Sequence, residues 1–220
     1  MFKCVCPNAT IVAVSFDLFG TLVAAERPSD PAAALATELS TRDVAVPEDW
    51  GQVYCEPHVT APSGGEVSLV DHVQAALASR DVTITTARAR DAVLAAFDRP
   101  VSIRPGAADA LAAASDRGPV GLLSNCSVPG LVEQTLATTT IGEDAFDAVV
   151  TSVGCGWRKP DARAFETVAD ALGVDVSALV HVGDDPTADG AIADAGGTAL
   201  LLTEYSLSDV PKLLERGGST

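Results

Sequence analysis

Asp17, Ser124, Lys159, Asp184 and Asp189 stand out because each follows, or closely trails, a short run of apolar residues. In the stretch from Ile11 to Val23 the apolar run stops at Asp17, and Gly20 and Thr21 come soon after. That order predicts a buried strand delivering a carboxylate to its C-terminal end, where the chain turns sharply. A carboxylate so placed can serve as nucleophile, as metal ligand, or as both, although a turn or a helix N-cap uses the same residue type. Val120 to Leu123 ends in Ser124-Asn125. Leu179 to Val182 ends in Gly183-Asp184-Asp185, with Asp189 close behind. Lys159, in Arg158-Lys159-Pro160-Asp161, lies beyond the run from Ala148 to Ser152. An open parallel sheet brings the carboxyl ends of its strands to one edge, where ligands bind. The spacing therefore predicts a single polar site.

The elements that must hold these ends are legible as an alternation. Strands are expected at 11–16, 120–123, 148–152, 179–182 and 198–202. Helices are expected at 107–116, 131–137, 162–172, from Pro186 to Asp194, and at 210–216. Asp161 suits the first turn of the third helix, and Gly196-Gly197 the close of the fourth. Apolar strands alternating with helices predict the α/β class, a doubly wound parallel sheet. Residues 24–100 read differently. Pro28, Pro31, Pro47, Pro57, Pro62 and Gly64-Gly65 punctuate them, helical spacing appears at 32–39, 69–77 and 87–97, and no convincing buried strand is present. The expected division is a core of residues 1–23 and 101–220 with a helical insertion at 24–100.

Taken together, Asp17-Leu18-Phe19-Gly20-Thr21, Leu123-Ser124-Asn125, Arg158-Lys159-Pro160-Asp161 and Gly183-Asp184-Asp185-Pro186-Thr187-Ala188-Asp189 resemble the four motifs of the haloacid dehalogenase (HAD) superfamily, in order. The resemblance implies a Rossmann-like core with a type-1 helical cap at 24–100. It implies Asp17 as nucleophile through an aspartyl-phosphate, and Lys159 as the positive charge between nucleophile and substrate. Thr21, Ser124 and Asn125 would belong to the phosphate-binding set. Mg²⁺ would be held by Asp17, Asp184 and the backbone carbonyl of Phe19, an oxygen set that suits this cation. Asp185 and Asp189 would stand behind them, Asp189 orienting Lys159 or a metal-bound water; a helix N-cap is the alternative for Asp185.

Phe19 departs from the pattern, since phosphatases of the superfamily carry there a second Asp that moves the leaving-group proton. General acid–base help is worth about 10²–10⁴-fold, and a phenyl ring supplies none. An aromatic at this position resembles instead the metal-independent 2-haloacid dehalogenases, whose halide leaves without a proton. Those enzymes lack the acidic pair Asp184-Asp185, and three crowded carboxylates without a cation would repel one another. The expectation is a Mg²⁺-dependent phosphatase of a small phosphomonoester, with a 2-haloacid dehalogenase-like hydrolase or a catalytically weak phosphate-binding protein as alternatives.

Composition narrows the partners. The chain has 220 residues, 14 Lys and Arg against 30 Asp and Glu, and a net charge of -16, which argues against nucleic acid or an anionic membrane. Trp50, Trp157 and Tyr54 are too few for a base-stacking platform. No apolar run reaches the roughly 18 residues of a membrane span, and no signal peptide is read at the N-terminus. Cys4, Cys6, Cys55, Cys126 and Cys155 are odd in number and irregular in spacing, which points to a reducing cytoplasm rather than a disulfide framework. Cys4-Val5-Cys6 lacks a second pair, and Cys55, His58 and His72 lack a fourth metal partner, so packing is the expected role of the latter three. His181, inside an apolar run, is expected to be a hydrogen-bonded core histidine. Arg27 and Arg42 near the cap are candidate partners for a substrate carboxylate, with nothing to set their direction. Only Lys3, Lys159 and Lys212 represent lysine, and such acid-rich, lysine-poor composition matches a halophile's protein. Raising KCl from dilute to molar should therefore raise the melting temperature, because salt screens the carboxylate repulsion. A flat or falling melting temperature across that series would reject the halophilic reading.

Overall fold

The computed structural model describes residues 13–217. In chain order its elements are β1 (Ala13–Phe16), β2 (Val23–Ala25), α1 (Pro31–Ser40), α2 (Trp50–Cys55), α3 (Leu69–Ala78), α4 (Thr86–Phe97), β3 (Val101–Ile103) and α5 (Ala107–Ser115). There follow β4 (Val120–Ser124), α6 (Leu131–Thr138), β5 (Ala148–Thr151), α7 (Ser152–Cys155), α8 (Ala162–Leu172), β6 (Leu179–Gly183), β7 (Thr198–Leu201) and α9 (Val210–Gly217).

Five strands form one parallel sheet in the order β5-β4-β1-β6-β7. β1 is its middle strand and is buried throughout, which is why its sequence is nearly all apolar. Its side chains alternate between faces. Val14 and Phe16 join a cluster with Leu122, Val182 and the inner faces of α5 and α9, whereas Ala13 joins Leu123, Val150 and Phe165 of α8. Full burial of a side chain such as Phe16 stabilises the fold by roughly 1.5–3 kcal/mol. The chain moves from β1 outward to β4 and β5, then returns to β6 on the other side of β1. That reversal opens a crevice at the carboxyl ends of the central strands.

The polar exception in β1 is Ser15, whose register partner in β6 is His181. Ser15 Oγ lies 2.8 Å from His181 Nδ1, so the two buried polar groups satisfy each other across the strands.

Four helices, α1 to α4, lie between β2 and β3, which pair as an antiparallel ribbon. Asp30 caps α1 by accepting from the Ala33 N–H, with Pro31 at the first helical position, and Thr85 caps α4 by accepting from the Arg88 N–H. The ribbon strands and α2 were not expected from sequence, because three- and six-residue elements carry too little periodicity to read. Among the described residues, no helix is long and apolar enough to cross a membrane.

The expected helix from Pro186 to Asp194 is not formed; only a 3₁₀ turn at Gly190–Ala193 is present. Asp185 Oδ1 accepts from the N–H groups of Thr187 and Ala188 at 2.7 and 3.1 Å, closing a tight turn where a helix would begin. Ile11 and Val12, like Cys4 and Cys6, fall outside the described residues.

Candidate active site

Lys159 is the centre of the polar crevice. Its side chain is 1 % exposed. Nζ donates to Asp17 Oδ1 at 2.9 Å, to Asp189 Oδ1 at 2.6 Å and to the Leu123 carbonyl at 2.8 Å. An ammonium has three protons, and each has an acceptor here. The backbone of Lys159 is held just as firmly. Asn125 Oδ1 accepts from the Lys159 N–H at 2.9 Å, and Asn125 Nδ2 donates to the Lys159 carbonyl at 2.8 Å. Expected in the phosphate-binding set, the Asn125 amide is instead engaged at both ends with the lysine loop.

Burial and charge set the protonation states. Burial pushes the Asp17 carboxyl up to about 6, against the pull of Lys159, and the nearby charges of Asp189 and Asp184 add to the rise. Burial acts the same way on Asp189, but the hydrogen bond from His181 and the charge of Lys159 outweigh it and hold this carboxyl well below the usual range. Lys159 is penalised by burial, yet Asp17 and Asp189 hold its ammonium above its ordinary value. His181 is lowered to about 4 by burial and then by Lys159. A neutral ring accepting from Ser15 at Nδ1 presents Nε2–H to Asp189 Oδ1, 3.1 Å away. The expectation of a hydrogen-bonded core histidine is met, though the ring also touches the ion cluster.

Asp184 sits on the loop after β6, beside the turn after Asp17. Gly20 adopts φ +100°, and a Cβ built there would lie 2.5 Å from Asp184 Oδ2, so only glycine lets the loops approach this closely. Buried Thr21 donates Oγ1 to Asp184 Oδ1 at 3.0 Å. Its hydroxyl, expected in the phosphate-binding set, here steadies the second carboxylate. Arg104, which the sequence did not single out, donates to the Gly20 carbonyl from the loop after β3. The Asp185 carboxylate receives two turn N–H groups and caps no helix, since the one expected after Pro186 does not form. Its backbone meets Asp189, the N–H donating to Asp189 Oδ2 at 2.9 Å and the carbonyl accepting from the Asp189 N–H at 2.8 Å.

Ser124, at the end of β4, is different. Its Oγ is the one buried side-chain polar atom among the described residues that lacks a hydrogen-bond partner. Such an atom costs stability unless something else supplies the partner. Asp17 keeps a tenth of its side chain open, and its second oxygen takes no hydrogen bond from the described residues. The same is true of Asp184 Oδ2. These two open carboxylate oxygens, with the Phe19 carbonyl that the resemblance implies beside them, are donors of the chemistry that suits a Mg²⁺-type cation. His58 and His72 bond backbone carbonyls of Val53 and Tyr54 at 2.8 and 2.9 Å. Among all the described residues, those around Asp17 and Asp184 included, no group of three His, Cys, Asp or Glu side chains gathers as a metal site.

A model of the haloacid dehalogenase-like hydrolase family matches residues 11–197. The chain belongs to this family. Comparison with curated proteins finds no match. Among solved structures, a 2-haloacid dehalogenase from Pseudomonas syringae pv. tomato DC3000 is similar over 94 % of this chain and 99 % of its own, with 21 % identity and a TM-score of 0.68. A predicted phosphoglycolate phosphatase from Haemophilus somnus 129PT aligns over 93 % and 98 % of the two chains, with 15 % identity and a TM-score of 0.56. A HAD family enzyme from Bacteroides thetaiotaomicron, in complex with magnesium and inorganic phosphate, aligns over 87 % and 93 %, with 14 % identity and a TM-score of 0.56. At these identities the likeness establishes the shared fold.

In this HAD-family chain the buried lysine is the element most exposed to test. Lys159→Met should destabilise the metal-free protein by about 3–5 kcal/mol at pH 7, because two buried carboxylates lose their cation. Without that cation both carboxyls bind protons more tightly folded than unfolded, so the loss should shrink as pH falls toward 5. Urea denaturation in EDTA at the two pH values measures both quantities. Equal losses at pH 7 and pH 5 would contradict the charge distribution described.

Proposed function

We propose that this HAD-family hydrolase is a Mg²⁺-dependent phosphatase of small phosphomonoesters. The observation that carries the reading is the second carboxylate, Asp184, held by Thr21 against Gly20 beside Asp17 with one oxygen still open. A site built for displacement at carbon gains nothing from an added negative charge next to its nucleophile. Oxygen donors paired in this way suit a hard cation. Bound through Asp17, Asp184 and the Phe19 carbonyl, Mg²⁺ would supply neutralisation of phosphate charge. The complex of the B. thetaiotaomicron relative with magnesium and phosphate supports the same choice.

In this reading residues 1–23 and 101–220 form the catalytic core, and residues 24–100 form a cap over it. Asp17 attacks phosphorus through a carboxylate oxygen, forming an aspartyl-phosphate as the ester bond to the alcohol breaks. Lys159, fixed by Asp189 and Asn125, offsets repulsion between the anionic nucleophile and substrate. Ser124 Oγ donates to a phosphoryl oxygen and so finds its missing partner. Water then attacks the aspartyl-phosphate, releasing phosphate and restoring the Asp17 carboxylate. With Phe19 at the position of the usual acid, the leaving alkoxide takes its proton from solvent. The free thiols of Cys55, Cys126 and Cys155 support a reducing, cytoplasmic setting.

Phe19 favours a second reading, displacement of halide from a 2-haloacid by Asp17, and the P. syringae dehalogenase has the higher TM-score of the structures compared. A panel of phosphomonoesters and 2-haloacids, assayed with Mg²⁺ and with excess EDTA, decides between them. Phosphate release that EDTA and Asp17→Asn both abolish is expected. Halide release that survives EDTA would establish the second reading.

The missing acid gives a further expectation. A folded Phe19→Asp variant should raise kcat on alkyl phosphates, whose leaving groups need a proton, more than on nitrophenyl phosphate. KM should change little, since the backbone carbonyl stays in place. Equal kcat on alkyl phosphates before and after the substitution would show that another group already delivers the proton.

A further inference from the structure

Glu66 lies between α2 and α3, far in sequence from every motif, yet its side chain is only 3 % exposed. A buried carboxylate needs donors, and this one draws them from both parts of the molecule. Oε1 accepts from its neighbour Val67 N–H at 3.0 Å and from Ser127 Oγ at 3.0 Å; Oε2 lies 2.6 Å from Ser152 Oγ. Arg158 is a more distant companion at 3.9 Å.

The two serines lead directly to the candidate site. Ser152 is fully buried, and its Oγ accepts from the Cys126 N–H at 2.9 Å. A hydroxyl has one proton. With that proton directed at Glu66, its lone pairs face Cys126, so the carboxylate dictates how the serine holds the backbone. Ser127 is bound by its side chain to Glu66 and by its carbonyl to the Leu69 N–H at 2.8 Å. Cys126 and Ser127 are the second and third residues after Ser124.

The surrounding backbone fixes Glu66 in turn. Gly65 and Trp157 form an antiparallel bridge, the Glu66 N–H donates to the Gly156 carbonyl at 2.9 Å, and the Arg158 N–H donates to the Gly64 carbonyl at 3.0 Å. This short pairing ends one residue before Lys159. One segment of the helical insertion therefore abuts both the loop carrying Ser124 and the loop carrying Lys159.

We propose that Glu66 is a positioning residue: through Ser152 and Ser127, its buried carboxylate sets the loop after β4 so that Ser124 Oγ can receive an anionic oxygen of the substrate. The proposal rests on the anion-binding reading of Ser124 given above. Part of the substrate-binding geometry is then set by the insertion and not by the core alone. Glu66→Gln keeps an acceptor for Ser127 and Val67 and can donate its amide to Ser152 Oγ; Glu66→Ala keeps neither.

Hydrogen exchange of the full chain, with inorganic phosphate inhibition in the presence of Mg²⁺, tests this. In Glu66→Ala, amide protection across 125–128 should fall about tenfold while α5 and α9 stay as in the wild type. The inhibition constant for phosphate should rise about tenfold, with kcat changing less than KM. Glu66→Gln should lie within about threefold of wild type on every measure. Should Glu66→Ala fold poorly, Ser127→Ala removes one of the two links and should show a smaller loss in the same direction. Unchanged protection at 125–128, or loosened amides with an unaltered phosphate constant, would overturn the proposal. A wild-type protein that phosphate fails to inhibit would refute the phosphatase reading instead, and the exchange comparison alone would then decide the role of Glu66.

Discussion

The arrangement depends on keeping one ammonium charged in the interior. Lys159 is removed from water, which by itself costs several kcal/mol for such an ion. It remains protonated because two carboxylates and a carbonyl surround it. Those acceptors come from three places in the chain: Asp17 after β1, Leu123 in β4 and Asp189 in the turn after β6. Only a parallel sheet with β1 between β4 and β6 brings them to one point, so topology and charge compensation are a single requirement. The same requirement accounts for the support around it. Asn125 holds the lysine backbone, and His181 with Ser15 supplies a neutral donor to Asp189 without adding a second positive charge.

Against that well-satisfied background Ser124 Oγ is conspicuous. Every other buried side-chain polar atom of the described residues has a partner. An unpaired hydroxyl beside a carboxylate nucleophile candidate is costly in the isolated protein and favourable once an anionic ligand arrives. The open oxygens of Asp17 and Asp184 have the complementary character, since they lack a cation. One unmet donor and two unmet acceptors thus lie at or just after the carboxyl ends of β4, β1 and β6, chemistry that phosphate with a divalent metal would complement. This is the pairing on which the phosphatase proposal rests, with Phe19 as the feature that favours the alternative.

The helical insertion is bound into the site by more than its two connecting strands. Backbone pairing at 64–66 and the buried Glu66 carboxylate join it to the loops after β4 and β5.

Much of this was decided by the sequence alone. Buried parallel strands need continuous apolar runs, and strand ends need turn residues, so the α/β class, the sheet strands and the positions of Asp17, Ser124, Lys159 and Asp184 were legible locally. So was the family, through four ordered motifs. The use of each polar group was decided only by tertiary structure. Asn125 and Thr21 looked like ligand-binding residues, yet one braces Lys159 and the other Asp184. Asp185 closes a turn, which also removes the helix expected after Pro186. Glu66 and Arg104 carried no sequence signal at all. The Asp185 carboxylate bonds only two and three residues ahead, and there two local turns compete. For the other four the physical reason is common: a side-chain hydrogen bond is chosen by which partner lies within about 3 Å after folding, and these partners are up to 163 residues away along the chain. Residue type and spacing report on strands and turns, whose partners are local or repetitive, whereas a polar network is specified by distance in three dimensions.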